Sequence, residues 1–171
     1  EVIEGYPERF QEYWLSGMRQ KLGLFISEPE DESLIQALLD TMQENEADFT
    51  LTFRSLSDAA LSQRNEGSVR ILFNDTSAYD NWAKSWRDRL SREQKAPEER
   101  FELMCRANPA VIPRNHQVKH ALDAAEEYGD YGPFEKLLEV LSSPYEVPEV
   151  HLEYTIPPKA EEHVLQTFCG T

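Results

Sequence analysis

Residues 108–146 read NPAVIPRNHQVKHALDAAEEYGDYGPFEKLLEVLSSPYE, and their punctuation specifies two helices joined by a tight turn. The residue before a proline avoids helical angles, so Asn108-Pro109 ends the helix before it, and the backbone from Pro109 to Pro113 is mostly extended. Asn115 is then placed to cap a helix bearing Val118, Ala121, Leu122 and Ala125, and Gly129 closes that helix. Pro133 opens the next one. Its Phe134, Leu137, Leu138 and Leu141 are expected to pack back on the first helix before Ser142-Ser143-Pro144 stops it. The product is an antiparallel helical hairpin, a shape that carries no chemistry by itself.

Helical spacing continues on the N-terminal side. Pro7 to Leu22 carries Phe10, Trp14, Met18 and Leu22 on one stripe, with Gly23 as its stop. Ser33 to Glu44 places Leu34, Ile35, Leu38, Leu39 and Met42 on one face behind a capping Asp31 or Glu32. DFTLTF over residues 48–53 alternates like a strand, but Phe49, Phe53, Leu56 and Ala60 favour a helix over the longer window. Residues 69–73 are a short apolar run, read as a helical turn because a lone strand would lack a partner. Caps at Asp75 to Ser77 precede a core stripe of Tyr79, Trp82, Ala83, Trp86 and Leu90, with Arg87, Arg89 and Arg92 outside it. Pro97 begins a helix with Glu98 and Glu99 in its first turn and Phe101, Met104 and Cys105 inward. The expected fold is all-α: an antiparallel helical domain of about seven helices over residues 1–146, then an irregular, Pro-containing extended tail over 147–171.

Bulk properties narrow the function. The chain has 171 residues, 40% hydrophobic and 29% charged, and a chain of this size buries roughly 70% of its unfolded surface, enough for a core without staples. A net charge of -15 repels phosphate backbones and anionic lipid, so neither nucleic acid nor membrane is an expected partner. The acid concentrates in Glu28, Glu30, Asp31, Glu32, Asp40, Glu44, Glu46 and Asp48, read as a solvated helix face. Two cysteines, far apart, make no disulfide framework and suggest the cytoplasm. The chain opens at Glu1 without a Met, directly in helical material, as a fragment or processed product would.

Several strings in order resemble one family. They are the NP of Asn108-Pro109, the PRN of residues 113–115, ALDAA at 121–125, FEKLLEVLSSPYE at 134–146, the pair Pro157-Pro158 and the terminal FCGT. Upstream, Trp14 to Leu24 reads W-x-x-G-M-x-x-K-L-G-L. Together these resemble the C-terminal third of the SelO/YdiU proteins, the kinase-like protein adenylyltransferases. The resemblance implies a parent enzyme that moves AMP from ATP, with Mg or Mn, onto Ser, Thr or Tyr hydroxyls of target proteins. It also implies that the nucleotide and metal residues lie in an N-terminal kinase-like region, the expected partner of this chain within the same polypeptide. No catalytic, cofactor-binding or metal residue is therefore assigned here, and no cofactor is expected for this part.

Two features of the resemblance concern particular residues. The family carries a metal aspartate in a DYGPF motif of its kinase-like region, and this chain repeats the letters from Asp130 to Phe134. Here they sit between two helices and read as a turn, whereas a metal needs convergent oxygen ligands. Cys169 occupies the place of a family cysteine or selenocysteine implicated in a redox link to the kinase-like part, which makes it the redox candidate. Thr167 stands where some members have a second cysteine, which argues against a local two-thiol pair.

The remaining chemistry is sparse. No Gly-rich phosphate loop accompanies a lysine-bearing strand. His116 and His120 share a helix face, but with His151 and His163 they form no compact ligand motif. Arg114 and His116 are read as holding a loop through hydrogen bonds to its carbonyls. The alternative reading is a free-standing acidic helical protein-interaction module; a small metallohydrolase built on the histidines is the third.

Overall fold

Proline and aspartate begin most of the helices, and the computed structural model, which describes residues 5–147 and 150–162, shows what each start leads to. Eight α-helices and no β-strand are present among the described residues. They are α1 (Tyr6–Lys21), α2 (Asp31–Glu44), α3 (Phe49–Leu61), α4 (Gly67–Arg70), α5 (Thr76–Leu90), α6 (Pro97–Ala107), α7 (Asn115–Tyr128) and α8 (Gly132–Leu141). Asp48 caps α3 by accepting the Leu51 N–H at 2.8 Å, and Asp75 caps α5 through Ser77 N–H at 2.9 Å. The stretch 48–53 is thus helical, and 69–73 contributes only the end of the one-turn α4. No helix among the described residues is long and apolar enough to cross a membrane.

The chain divides into two compact units, Glu1–Asn108 and Pro109–Thr171. In the first, α3 packs on α6, α2 on α5, and α1 against α6 and α2. Its core is the stripe that the spacing of α5 predicts: Tyr79, Trp82, Ala83, Trp86 and Leu90 are all buried. Met18, Leu22, Ile35, Leu38, Phe53, Leu56 and Met104 close around them. Trp82 and Trp86 stack at 5.5 Å, and their indole N–H groups donate to the carbonyls of Leu34 and Leu22, each at 2.9 Å. A buried indole needs such a partner, and here it also ties α5 to α2 and to the end of α1. Gly23 takes φ +73°, and a Cβ there would meet Met104 Sδ at 2.7 Å, so glycine is required.

Buried amides fasten the helix ends. Asn108 donates through Nδ2 to the Lys21 carbonyl (2.9 Å) and Ser57 Oγ (3.2 Å). Lys21 Nζ and Arg54 Nη1 donate to the carbonyls of Ala107 (2.8 Å) and Asn108 (3.0 Å), placing two cations at the negative end of α6. Asn45 Oδ1 accepts the Asp75 N–H at 2.6 Å and so links the end of α2 to the start of α5.

The second unit is the hairpin of α7 and α8 with its neighbouring segments. Ala110, Val111, Ala121, Leu137, Val140 and Tyr154 form its core, flanked by Val118 and Leu141. Gly129 ends α7 at φ +64°, as its sequence position indicates. Segment 110–111 is held by two N–H bonds to the Pro144 carbonyl, at 2.8 and 3.1 Å. Beyond residue 146, Tyr154 joins the core from a short 3-10 turn, Leu152–Thr155.

Several expectations are corrected. Asn115 is the first helical residue of α7 and makes no capping bond. Phe10 is 57% exposed although Met18 and Leu22 are buried. A row of i, i+4 positions drifts by about 40° per step around a 3.6-residue helix, so the face that buries Leu22 has turned away from Phe10. On α8, Leu137 is 5% and Leu138 53% exposed, and Phe134 of α8 and Leu122 of α7 also face solvent. Since Leu137 and Leu138 are both apolar, periodicity could not choose between them. Leu137→Ala is expected to cost about 2–5 kcal/mol, with Leu138→Ala close to neutral. Urea unfolding that ranked them the other way would mean that the α8 face is misassigned.

Candidate functional site

Three of the residues singled out by sequence, His163, Thr167 and Cys169, lie outside the described residues. The others fall at separate places. Asp130 is exposed between α7 and α8, and its Oδ1 accepts the Gly132 N–H at 2.9 Å, the bond of a structural turn. Among the described residues no three His, Cys, Asp or Glu side chains gather as a metal cluster does. A metal–triphosphate complex needs convergent oxygen ligands, and the Asp130 carboxylate, turned onto its own loop, does not supply them by itself. His116 and His120 lie on α7, half-buried and exposed. His151 Nδ1 stands 3.2 Å from Glu153 Oε1, its ring edge-on to Tyr154. Arg114 is buried and donates through Nη2 to the Thr155 carbonyl at 3.4 Å, the carbonyl-holding role its position suggests. Cys105 is half-buried rather than in the core. Burial pushes its thiol up, against the pull of the Arg54 charge.

The concentration of buried charge lies where the sequence shows only a solvated acidic face and outward arginines. Arg89 is 1% exposed and Asp31 0%. Arg89 Nε donates to Asp31 Oδ1 at 2.7 Å, Nη1 to Glu93 Oε1 at 2.9 Å, and Nη2 to the Ile26 carbonyl. Asp31 Oδ2 accepts from Arg19 Nε at 2.7 Å and from the Glu28 N–H at 2.9 Å. Outside this buried group, Arg92 reaches Glu28, Glu30 and Asp88 at 2.8, 2.9 and 2.9 Å. The cluster joins α1, the loop before α2 and the first residue of α2, and α5 with the turn after it.

Its electrostatics are those of mutual pairing, although Glu93 Oε2 is buried without a hydrogen-bond partner among the described residues. Burial alone would raise Asp31, but hydrogen bonds from Arg89, the Glu28 N–H and Arg19 outweigh it and hold the carboxyl below its ordinary value. Glu28 is lowered chiefly by its bond from Arg92. Burial would lower Arg89, yet Asp31 and Glu93 hold it above its usual value. Carboxylates pushed down and a guanidinium pushed up are poorly matched to proton transfer at neutral pH. The arrangement suits fixing helices, because breaking any one pair strands a buried charge.

Linkage then sets the sign of a pH effect. Because Asp31 and Glu28 are depressed in the folded state, the unfolded chain takes up protons at higher pH. The stabilisation is complete above the ordinary carboxylate value of about 4 and is lost as pH falls through the folded values. Melting temperature should therefore be flat above about pH 5 and drop steeply below about pH 4. Asp31→Asn, already less stable at neutral pH, should lose less on acidification. An acid limb unchanged in Asp31→Asn would take this role away from the cluster.

A shallow groove of about 820 Å³ runs between α2 and α5, lined by Leu34, Ala37, Trp82, Lys84, Asp88 and Arg92. Its charges are mixed and partly paired, Arg92 meeting Glu30 and Asp88 at its edge.

Fold and charges together define the class: an acidic, all-helical protein whose buried ions serve packing. Comparison with known proteins specifies it further. The model of the family described as protein adenylyltransferase SelO matches residues 1–142, and the chain belongs to that SelO family. Curated relatives named protein nucleotidyltransferase YdiU include those of Rhizobium leguminosarum bv. trifolii and Rhizobium rhizogenes. They are 51% and 48% identical over 170 residues, covering 99% of this chain and 34% of each relative. A relative from Rhodopseudomonas palustris (strain BisB5) is 47% identical over 171 residues, which is 35% of its length. The chain thus spans about a third of the length of the curated relatives it matches.

Proposed function

We propose that this chain is the C-terminal helical part of a SelO-type protein adenylyltransferase and that it braces a kinase-like region supplied by the rest of the polypeptide. In this reading the whole protein transfers AMP from ATP, with Mg or Mn, to Ser, Thr or Tyr hydroxyls of target proteins in the cytoplasm, and Cys169 serves a redox link to the kinase-like part. The observation that carries the reading is a match along 99% of this chain that accounts for only 34% of the relative. Further support comes from a helical body whose buried ions are committed to one another.

The test removes the aligned third from the Rhizobium leguminosarum relative and measures AMP incorporated into protein from labelled ATP. The expected loss is about a hundredfold, the scale set by ~1 Å of misplacement at a reacting centre. Undiminished transfer by the truncated protein would reject the bracing role and favour a free-standing acidic interaction module. Calorimetry of the isolated chain with ATP and magnesium is expected to show no binding, and saturable binding lost on Asp130→Ala would restore the DYGPF string as a site.

A further inference from the structure

The first four turns of α1 carry two apolar faces, and the described residues cover only one of them. Trp14, Leu15, Met18 and Leu22 turn into the core of the first unit. Tyr6, Phe10 and Tyr13 point elsewhere and are 67%, 57% and 75% exposed. Tyr6 and Phe10 stack on each other at 6.3 Å. Gly17 continues the line, with no neighbouring side chain or other segment among the described residues within 4 Å of where its Cβ would stand. Positions 6, 10, 13 and 17 are spaced four, three and four apart, the seam spacing by which one helix receives another. Aromatic side chains above an open glycine give such a seam bulk at one end and close backbone approach at the other.

We propose that this seam is the docking face for an apolar helix from the part of the polypeptide that this chain does not include. The proposal rests on the bracing role set out above and names the surface through which bracing occurs. Size decides between occupants. At about 150–250 Å² per aromatic side chain and the exposures given, the seam offers roughly 300–500 Å². Two copies placed seam to seam would bury about 600–1,000 Å² in total, short of the about 1,200–2,000 Å² of stable protein pairs. A tethered partner has no such requirement, because a covalent connection supplies an effective concentration of about millimolar. The relatives carry about twice this chain's length in additional polypeptide from which it could come.

The test grafts this chain in place of the aligned segment of the Rhizobium leguminosarum relative and follows amide hydrogen exchange along α1. Exchange over the first turns is expected to be slower in the chimera than in the isolated chain by on the order of tenfold. Phe10→Glu with Tyr13→Glu should abolish the difference while leaving the melting temperature of the isolated chain unchanged. Equal exchange in chimera and isolated chain would overturn the proposal without any variant. A concentration-dependent dimer of the isolated chain, abolished by the double substitution, would overturn it in favour of a second copy. Exchange reads contact and AMP incorporation reads activity. Full transfer by the truncated relative would therefore reject bracing even with α1 protected, whereas unprotected α1 with lost transfer would reject only this seam.

Discussion

Arg89→Ala is expected to destabilise the chain by about 3–5 kcal/mol, the cost of breaking a buried ion pair from one side. Arg89 is 1% exposed and its guanidinium serves Asp31, Glu93 and the Ile26 carbonyl. Truncation leaves Asp31 with Arg19 and one backbone N–H, and removes the cross-link between the loop before α2 and the end of α5. Arg89→Lys should recover only part of the loss, because a single ammonium cannot reproduce three directed bonds from a planar fork. In an Asp31→Ala background the cost of Arg89→Ala should shrink, since residues in one network do not add. Urea unfolding followed by helical signal measures all three. Full additivity of the two substitutions would show that they are not one network.

Trp86→Ala should cost about as much, roughly 3–5 kcal/mol, by a different route. The side chain is fully buried, stacks on Trp82 and donates to the Leu22 carbonyl at 2.9 Å. Its removal opens a cavity where α5 meets the end of α1 and leaves that carbonyl without its side-chain donor. Trp86→Phe separates the two contributions, since it keeps an aromatic ring and loses the N–H; the lost bond alone should cost about 1–3 kcal/mol. Tyr13→Ala, at a residue 75% exposed, is the matched control and should barely shift the midpoint. A Trp86→Ala protein that unfolds with Tyr13→Ala would mean that the α5 stripe is not the centre of the core.

The family was legible because it depends on the order of residue types along the chain, from W-x-x-G-M near α1 to FEKLLEVLSSPYE over α8. The α5 stripe was legible because five apolar residues at helical spacing leave one face for the core. The buried ionic cluster was not. Asp31 stands among seven other acidic residues of its segment, and Arg89 lies 58 positions away from it. Nothing in either local pattern separates a buried member of a charged run from a solvated one. A signal was present in hindsight only in the position of Arg89, adjacent to the apolar face carrying Trp82, Trp86 and Leu90.

What the sequence by itself determined is local: helix starts at Asp75 and Pro97, and stops at Gly23 and Gly129. A cap, a proline ring or a positive φ acts within a few residues of its own position. Tertiary structure alone decided that Arg89 is inside, that Leu137 rather than Leu138 meets α7, and that Tyr154 joins a core far from it in sequence. Each is a choice among faces equally open to one helix or segment. Which face is buried follows from the partner brought to it by the rest of the chain, a long-range property that helical periodicity of about 3.6 residues does not encode.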